Sequence, residues 1–326
     1  MVKQLWELAK SCGLLLQHGK KDEREFRSSD CKWKFAMKTT TLGQVQVLQG
    51  NLRCLVLSDL HSPFFYPPAV SLAIKIGKLV NPHLVILNGD FVDCFSISPY
   101  RWDARRQNLH KEIEVSRELL SLLTKSFPQS VFIFLEGNHE LFLQRYIHKF
   151  ASALADLEEL QLPSLLNFKG KNQFYLGYEK EYSTYSTTAF PTLQFFDAQS
   201  KLRLLVIHGD GLGISVGAVH YARLVLQRTL VNTICGHWHV SQSWHGHSLE
   251  GERISAWVFP PLCFPRPHWR NSLWGLGVGY FTLSENGLLL VETVDFIAHR
   301  NQRILVAQYG GKILTEELDD ENILAH

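Results

Sequence analysis

Aspartate, asparagine and histidine side chains follow five short apolar runs of this chain, each at the point where the run ends. The runs are rich in Leu, Ile and Val, which is typical of strands buried on both faces. Side chains of these three polar types bind divalent metal ions through oxygen or nitrogen. In chain order, the polar positions are Asp59 and His61, Asp90, Asn138 and His139, His208, and His237 with His239. The five stretches predict a metal site if the fold brings the strand ends together.

The stretch Gly-Asn-His-Glu, at residues 137–140, combines several kinds of chemistry. Gly137 allows a sharp turn of the backbone at the end of the preceding strand. Asn138 offers a neutral carbonyl oxygen, and His139 can accept or release a proton near neutral pH. Taken alone, the tetrapeptide is explained equally well as a surface turn that contains a histidine. The other four stretches make a shared site the better hypothesis.

The elements that must position these residues are strands and helices that alternate from residue 52 onward. Strands are predicted at 54–57, 84–87, 131–135, 204–207 and 233–235, and helices at about 68–80, 109–126, 141–155 and 219–227. Strand-like runs at 254–259, 280–283 and 288–294 suggest a second sheet. In an open sheet covered by helices, ligands gather beyond the carboxyl ends of the strands. The alternation predicts an α/β protein whose metal site lies at the C-terminal ends of the strands.

The composition excludes several classes of protein. The 326 residues are 45% hydrophobic and 20% charged, as in ordinary globular proteins. A net charge of +2 gives no reason to expect strong attraction to nucleic acid. The six cysteines include no Cys-x-x-Cys pair, so neither a disulfide framework nor a zinc-thiolate site is expected. No apolar run reaches the roughly 18 to 20 residues that cross a bilayer, and the N-terminus does not resemble a signal peptide. We therefore expect a cytoplasmic protein with no membrane partner.

Changes of pattern along the chain predict three segments. Residues 1–50 form an N-terminal accessory segment, with a short amphipathic helix near its start and a hairpin or cap over about 30–50. Residues 51–309 form the domain that carries the five stretches, and the acidic residues 310–326 form a frayed C-terminal tail. The accessory segment could open a helix-turn-helix that binds nucleic acid, although Gly19 falls where the second helix should continue. The sequence predicts no oligomeric state.

In this order, Asp-x-His, Gly-Asp-x-x-Asp, Gly-Asn-His-Glu, His-Gly-Asp and Gly-His-x-His resemble the motifs of the calcineurin-like metallophosphoesterase family. The resemblance covers about residues 52–295 and is greatest to phage and bacterial phosphoesterases of unassigned substrate. It implies a four-layer αββα sandwich with two mixed β-sheets. The implied cofactors are two divalent metal ions, Mn²⁺ in the first place, with Fe, Zn or Co as alternatives.

Position by position, the resemblance also implies a role for each motif residue. The implied ligands of the first metal ion are Asp59, His61 and His239. The implied ligands of the second are Asn138, His208 and His237, and Asp90 bridges both ions. His139 binds no metal and is the catalytic residue, which protonates the leaving group or stabilises its charge. The implied reaction is hydrolysis of a phosphoester by a hydroxide that bridges the two ions. Asp93 is expected to support a ligand instead of binding metal.

Candidate substrate-binding residues lie outside or between the ligands. Arg145 follows His139 by one or two helical turns and could reach a phosphate, or it could form a surface salt bridge. Trp238 stands where many family members have Thr or Ser, and it could stack on a substrate or pack in the core. A cluster that could border the cleft, or be an exposed charged loop, consists of Arg101, Trp102, Arg105 and Arg106.

The charge of the motifs favours one class of phosphoester. A phosphomonoester carries nearly two negative charges, and sites that bind it tend to gather cationic side chains. The five motifs contain no arginine or lysine, so a phosphodiester substrate is favoured. Three alternatives stay open: a phosphomonoesterase, a nuclease with a nucleic-acid-binding N-terminus, and a non-catalytic metal-binding scaffold.

Overall fold

The computed structural model describes residues 22–99, 108–178, 189–215, 217–264 and 274–318. Hydrogen bonds join thirteen strands into one mixed sheet, and three further strands form a small antiparallel sheet. The strands of the large sheet are β1 (Asp22–Arg27), β2 (Cys31–Met37), β3 (Leu42–Leu57), β4 (Leu84–Asn88), β5 (Val131–Leu135), β6 (Gln173–Leu176), β7 (Thr192–Phe196), β8 (Leu202–Ile207), β9 (Thr233–Cys235), β10 (Gln242–His247), β11 (Arg253–Val258), β12 (Gly277–Ser284) and β13 (Leu289–Asp295). Those of the small sheet are β14 (Ile297–His299), β15 (Ile304–Tyr309) and β16 (Lys312–Glu317).

The α-helices of the described residues are amphipathic or short. They are α1 (Pro67–Val80), α2 (Leu109–Ser126), α3 (Leu141–Phe150), α4 (Leu162–Leu165) and α5 (Tyr221–Thr229). A proline, whose missing N–H has no helical partner there, stands in the first turn of α1. At the start of α2 the Asn108 side chain accepts a hydrogen bond from the Lys111 N–H, which satisfies one free donor of the first turn. The periodic apolar residues of α2 are buried along one face, as the sequence predicted.

The long strand β3 connects two halves of the large sheet. Its first part pairs antiparallel with β2 and parallel with β7, whereas its second part pairs parallel with β4 and antiparallel with β12. One half has the strand order β1-β2-β3-β7-β8-β9-β11-β10, and the other has the order β6-β5-β4-β3-β12-β13. Each half contains both parallel and antiparallel pairs. The predicted α/β class with mixed strand pairing is therefore confirmed.

Three hydrophobic clusters pack the faces of these halves. One cluster contains strand side chains from both halves of the large sheet. Among them are Trp33 and Phe35 from β2 and Leu84 and Ile86 from β4. The alternate residues of β4 belong to a second cluster together with apolar residues of α1 and α2. A third cluster packs α5 against β8, β9 and β11. The period-2 alternation of β4 explains how one strand contributes to two clusters.

The predicted elements recur in the structure within a few residues, with one clear difference in a helix. The helix expected to run to residue 155 ends at Phe150, and a 3₁₀ turn follows at Ser152–Leu154. The apolar residues that suggested a longer helix do not continue a buried face, because Phe150 is 61% exposed and Leu154 is 45% exposed. Within the described residues, no helix is both long and apolar enough to cross a membrane.

One predicted segment boundary, at residues 50 and 51, falls inside strand β3, and the other, at residues 309 and 310, falls in the turn between β15 and β16. The hairpin expected over residues 30–50 is present as β2 and the first part of β3, but β3 continues through residue 57. Lys312–Glu317 is a strand and not part of a frayed tail, because it pairs with β15 and contacts Ser71 and Lys75 of α1. The predicted N-terminal helix, the cluster of Arg101, Trp102, Arg105 and Arg106, and the last eight residues lie outside the described residues. The division into three segments stays a prediction.

Candidate metal centre

The predicted ligands lie at the carboxyl ends of neighbouring parallel strands. Asp59 and His61 follow β3, and Asp90 follows β4, its parallel neighbour. Asn138 follows β5, which is parallel to β4 on the other side. In the other half of the sheet, His208 follows β8, and His237 and His239 follow the parallel strand β9. The strand ends of the two halves meet, since Asp59 lies 3.3 Å from His239 and Asp90 lies 3.2 Å from His208.

The first group of predicted ligands has its donor atoms close together. Nε2 of His239 is 3.3 Å from Oδ1 of Asp59 and 3.1 Å from Nε2 of His61. Nε2 of His61 is also 3.7 Å from Oδ2 of Asp90. All four side chains are buried. The structure thus brings together the residues predicted to bind the first metal ion.

The second group meets the first at Asp90. Oδ2 of Asp90 lies 3.2 Å from Nε2 of His208, and the ring of His208 packs edge-on against that of His237. Asp90 belongs to two groups of possible ligands, one with Asp59 and His61 and one with His208 and His237. This shared position supports the bridging role predicted for its carboxylate.

Hydrogen bonds orient two of the histidines so that Nε2 faces the centre. Nδ1 of His61 donates to Oδ1 of Asp93 over 2.7 Å, and Nδ1 of His208 donates to the main-chain oxygen of Asn88 over 3.0 Å. A proton fixed on Nδ1 leaves the lone pair on Nε2, which is the arrangement that a metal-binding imidazole requires. Asp93 therefore has the supporting position that the sequence predicted.

Side-chain atoms of two further predicted ligands have no hydrogen-bond partner among the described residues. Oδ1 of Asn138 and Nδ1 of His237 are both buried in this way. Buried polar atoms are normally satisfied, so each such atom needs an explanation. A bound cation would accept their lone pairs, and the mixed nitrogen and oxygen donors suit Mn, Fe, Zn or Co. The residues present therefore fit a pair of divalent metal ions.

The backbone of the centre is strained at five of the predicted ligands. Asp59, His61, Asp90, His237 and His239 have φ angles of 53°, 48°, 48°, 71° and 57°. Residues other than glycine rarely adopt this left-handed region. Such conformations cluster at functional sites, where the surrounding structure holds them in place. Here the main chain supplies part of that support, since the N–H of His61 donates to the Asp90 carbonyl over 2.8 Å.

Two glycines allow the backbone to approach the carboxylates closely. A Cβ atom added to Gly137 would lie 2.3 Å from Oδ1 of Asp90. One added to Gly236 would lie 2.4 Å from Oδ2 of Asp59. Both distances are far shorter than a van der Waals contact, so a side chain at either position would displace a predicted ligand.

Glu140 is a residue beside the centre to which the sequence analysis gave no role. Its side chain is fully buried, and Oε2 accepts hydrogen bonds from the N–H groups of Asp90 and Gly137 over 3.0 and 2.8 Å. Oε1 accepts from the N–H of Val92 over 2.8 Å. Burial, together with the negative charge of Asp90, raises the pKa of Glu140 to about 8. Its place in the motif, directly before α3, was the only available signal.

Burial and charge pairing set the protonation states of the ligands. Burial lowers the pKa of His61 and His237 to about 4, and the positive charges of His139 and His208 add to these shifts. Burial alone would raise the pKa of Asp90, but His208 and His139 hold it well below its usual value. Asp90 in turn helps to raise the pKa of His208 against the effect of burial. A metal ion bound at Nε2 of His208 would displace the proton from that nitrogen and leave the one on Nδ1.

His139 differs from the predicted ligands in exposure and hydrogen bonding. Its side chain is 16% exposed, compared with 2% for Asp90. Nδ1 donates to the main-chain oxygen of Asp93 over 2.8 Å, and Nε2 lies 4.0 Å from Oδ2 of Asp90. Burial acts to lower the pKa of His139, but Asp90 and Asp93 outweigh it and raise the pKa to about 9. His61, Asp93 and His139 also form a possible ligand group, although both histidines direct Nδ1 towards Asp93.

The two predicted substrate-binding residues have different surroundings. Trp238 is 2% exposed, and its ring stacks on Tyr221 of α5 with centroids 5.2 Å apart. A ring buried in this way has almost no surface for a substrate, which favours the alternative of core packing. Arg145 is exposed on α3, and its contact with a phosphate stays a prediction.

Comparison with known proteins identifies the class of protein that this fold and centre define. The family model described as calcineurin-like phosphoesterase matches residues 52–241. The chain belongs to the calcineurin-like phosphoesterase family, which confirms the resemblance found in the five motifs. The search of the curated proteins found no match.

Several solved structures are similar to the chain at low sequence identity. Vps29 from Chaetomium thermophilum is 10% identical, with a TM-score of 0.40, and the match covers 82% of this chain and 98% of that one. A Vps29 mutant from Entamoeba histolytica is 9% identical, with a TM-score of 0.35 and coverage of 82% and 99%. A dimetal phosphatase from Danio rerio is 10% identical, with a TM-score of 0.36 and coverage of 82% and 99%. Values this low carry no argument about activity or partners.

Proposed function

We propose that this protein is a dinuclear, metal-dependent phosphoesterase. The observation that carries the proposal is the position of Asp90, which two groups of nitrogen and oxygen donors share at the strand ends. The proposed ligands of the first ion are Asp59, His61 and His239, and those of the second are Asn138, His208 and His237. Mn²⁺ is the metal we favour, and Fe, Zn and Co suit the same donors.

The residues of the centre have complementary tasks in this reaction. Two divalent ions, when bound, supply positive charge that polarises a phosphoryl group and activates water. His139 holds Nδ1 against the Asp93 carbonyl, which leaves Nε2 to donate a proton to the leaving oxygen of the substrate. Asp93 fixes the rings of both His139 and His61, so it positions the proton donor relative to a ligand.

The charges around the centre favour a phosphodiester as the substrate. The main causes of the pKa shifts of Asp59, Asp90 and Asp93 are burial, histidines and other carboxylates, and no described lysine or arginine is among them. A diester carries one negative charge and needs less neutralisation than a monoester, which carries nearly two. The preference therefore follows from the shortage of cationic side chains beside the ligands.

The test compares two substrates with the same leaving group. We expect the full-length protein loaded with Mn²⁺ to hydrolyse bis(4-nitrophenyl) phosphate with a higher kcat/KM than 4-nitrophenyl phosphate. The Asp90→Asn variant, which lacks the bridging carboxylate, should lose metal-dependent hydrolysis of both and exclude a contaminating phosphatase. A preference for the monoester that persists in Arg145→Ala would contradict the diester assignment. A folded, metal-loaded protein that hydrolyses neither substrate would favour the scaffold alternative.

A further inference from the structure

Cys263 lies beside the first group of ligands although it belongs to none of the five motifs. The donor atoms of His61, His239 and Cys263 all lie within 4.8 Å of one another. All three side chains are buried, and Cys263 is only 1% exposed. The thiol is therefore part of the lining of the centre and has almost no contact with bulk solvent.

The backbone around Cys263 is fastened to the segments that carry the ligands. The N–H of Leu262 donates to the main-chain oxygens of Ser58 and Asp59, over 3.2 and 3.3 Å. Cys263 itself pairs with Phe65 in an isolated antiparallel bridge. These contacts on both sides fix the position of the cysteine relative to Asp59 and do not depend on the thiol.

The spacing of the donor atoms fits a single metal ion. At about 2.0–2.1 Å to nitrogen and about 2.3 Å to sulfur, neighbouring donors of one metal ion lie roughly 2.9–3.6 Å apart. The distance from Nε2 of His61 to Nε2 of His239 is 3.1 Å, and that from His239 to Oδ1 of Asp59 is 3.3 Å. Cys263 lies within reach of the same two imidazoles and, with Asp59 and the bridging Asp90, would give the first ion five donors.

We propose that Cys263 is a thiolate ligand of the first metal ion, in addition to Asp59, His61 and His239. The inference rests on the proposed function, because it requires that ion to bind. On binding, the S–H bond breaks, the proton passes to solvent and a metal–sulfur bond forms. A sulfur donor shifts the preference of the first position from Mn²⁺ towards softer ions such as Zn²⁺ and Cd²⁺. The alternative is a small apolar side chain that only fills space.

The direct test is the absorption spectrum of the full-length protein loaded with Co²⁺. A thiolate bound to Co²⁺ gives charge-transfer absorption in the near ultraviolet, whereas nitrogen and oxygen ligands do not. We expect this absorption in the wild-type protein and in Cys31→Ser, a control in which a buried cysteine of β2 is changed. We expect it to be lost in Cys263→Ser. Absence of the absorption from wild-type protein that has bound Co²⁺, or its persistence in Cys263→Ser, would overturn the proposal.

A second measurement uses metal affinity and separates this proposal from the proposed function. Cys263→Ser should lower Cd²⁺ affinity by at least ~10-fold, the lower end of the loss seen when support of a metal ligand is removed, and lower Mn²⁺ affinity less. Equal Cd²⁺ affinity in the two proteins would contradict thiolate ligation. The wild-type spectrum alone decides the matter if Cys263→Ser does not fold. The wild-type protein could hydrolyse bis(4-nitrophenyl) phosphate although its Co²⁺ form lacks the absorption. In that case the Cys263 proposal would be wrong and the proposed function would stand. Failure to bind Co²⁺ at all would overturn both.

Discussion

Single residues at the centre accept conformations that cost free energy. Each non-glycine residue in the left-handed region costs on the order of 1–3 kcal/mol, and five predicted ligands adopt it. Hydrogen bonds to neighbouring turns hold them, as between the N–H of Asp59 and the Gly89 carbonyl. The strain in the backbone is concentrated where the strands end. The sharp turns there orient the side chains of the predicted ligands towards one another.

His139 gives a prediction at this scale, because we propose it as a proton donor and not as a ligand. His139→Ala should keep its metal content and lose activity on the order of 10²- to 10⁴-fold, the range expected of general acid catalysis. The loss should grow as the leaving group becomes more basic, since nitrophenolate needs little protonation. Elemental analysis and kcat for diesters with a series of leaving groups measure both effects.

The matched control for this variant is His110→Ala, which removes an exposed histidine of α2 that pairs with Glu114. It should change neither metal content nor kcat. Loss of metal from His139→Ala would make His139 a ligand. Equal losses of kcat for all leaving groups would assign it to positioning of the substrate.

The sequence predicted the candidate ligands because their signal is local. An Asp, Asn or His directly after an apolar run is visible within a few residues, and all seven predicted ligands carry this signal. Glu140 and Cys263 carry no such signal, since their roles depend on segments that approach only in the folded protein. Trp238 shows the converse. It lies between two predicted ligands in the sequence, which suggested a contact with the substrate, but its ring is buried in the core.

At the scale of elements, Glu140 ties the turn after β4 to the turn after β5. The comparison with Glu140→Gln is made above pH 8, because the pKa of Glu140 is raised to about 8 and the side chain is ionised there. Its carboxylate then accepts N–H groups from both turns, so Glu140→Gln would place an amide group against at least one of these donors. An unsatisfied buried donor costs about 1–3 kcal/mol. We expect the free energy of unfolding to fall by about that amount and metal to bind more weakly, as measured by urea denaturation and metal titration.

The control for this change is Glu118→Gln on the exposed face of α2, where we expect no effect on either measurement. A Glu140→Gln variant with wild-type stability and metal affinity would show that the two turns hold their positions without the carboxylate.

The turn between β7 and β8 gives a prediction about pH. Asp197 is buried and accepts hydrogen bonds from the N–H of Lys201 and from Nε of Arg203, over 2.9 and 2.6 Å. Burial acts to raise its pKa, but these partners outweigh that effect and lower it. The folded state therefore favours the carboxylate. Its contribution to stability is present above the unfolded pKa, which is about 3.9, and is lost as the pH falls through the lowered value.

Asp197→Asn should consequently destabilise the protein at pH 7 and do so less at about pH 3. The free energy of unfolding of both proteins, without added metal, would be measured by urea denaturation at several pH values. Asp295→Asn, at an exposed position of β13, is the control and should leave the pH dependence as in the wild type. A destabilisation by Asp197→Asn that is the same at every pH would contradict the ionic contribution.

At the scale of the whole molecule, the α/β class could be predicted but the pairing of the strands could not. Class follows from the alternation of apolar runs with amphipathic helices, which is a local pattern. Pairing depends on distant partners, as when Leu42 of β3 aligns with Thr192 of β7. No residue pattern shows that β3 pairs in both halves of the sheet. The sequence therefore predicted a boundary at residue 50, in the middle of this strand.

The long strand also determines how the chain could be shortened. A protein that began at residue 51 would lack β1, β2 and the part of β3 that pairs with β7. The freed side of β7 would then expose a row of unpaired N–H and C=O groups, with the apolar residues Leu193 and Phe195 beside it. Such open edges recruit other chains and lead to aggregation. The first fifty residues therefore include strands that cover this side of β7 and prevent such aggregation.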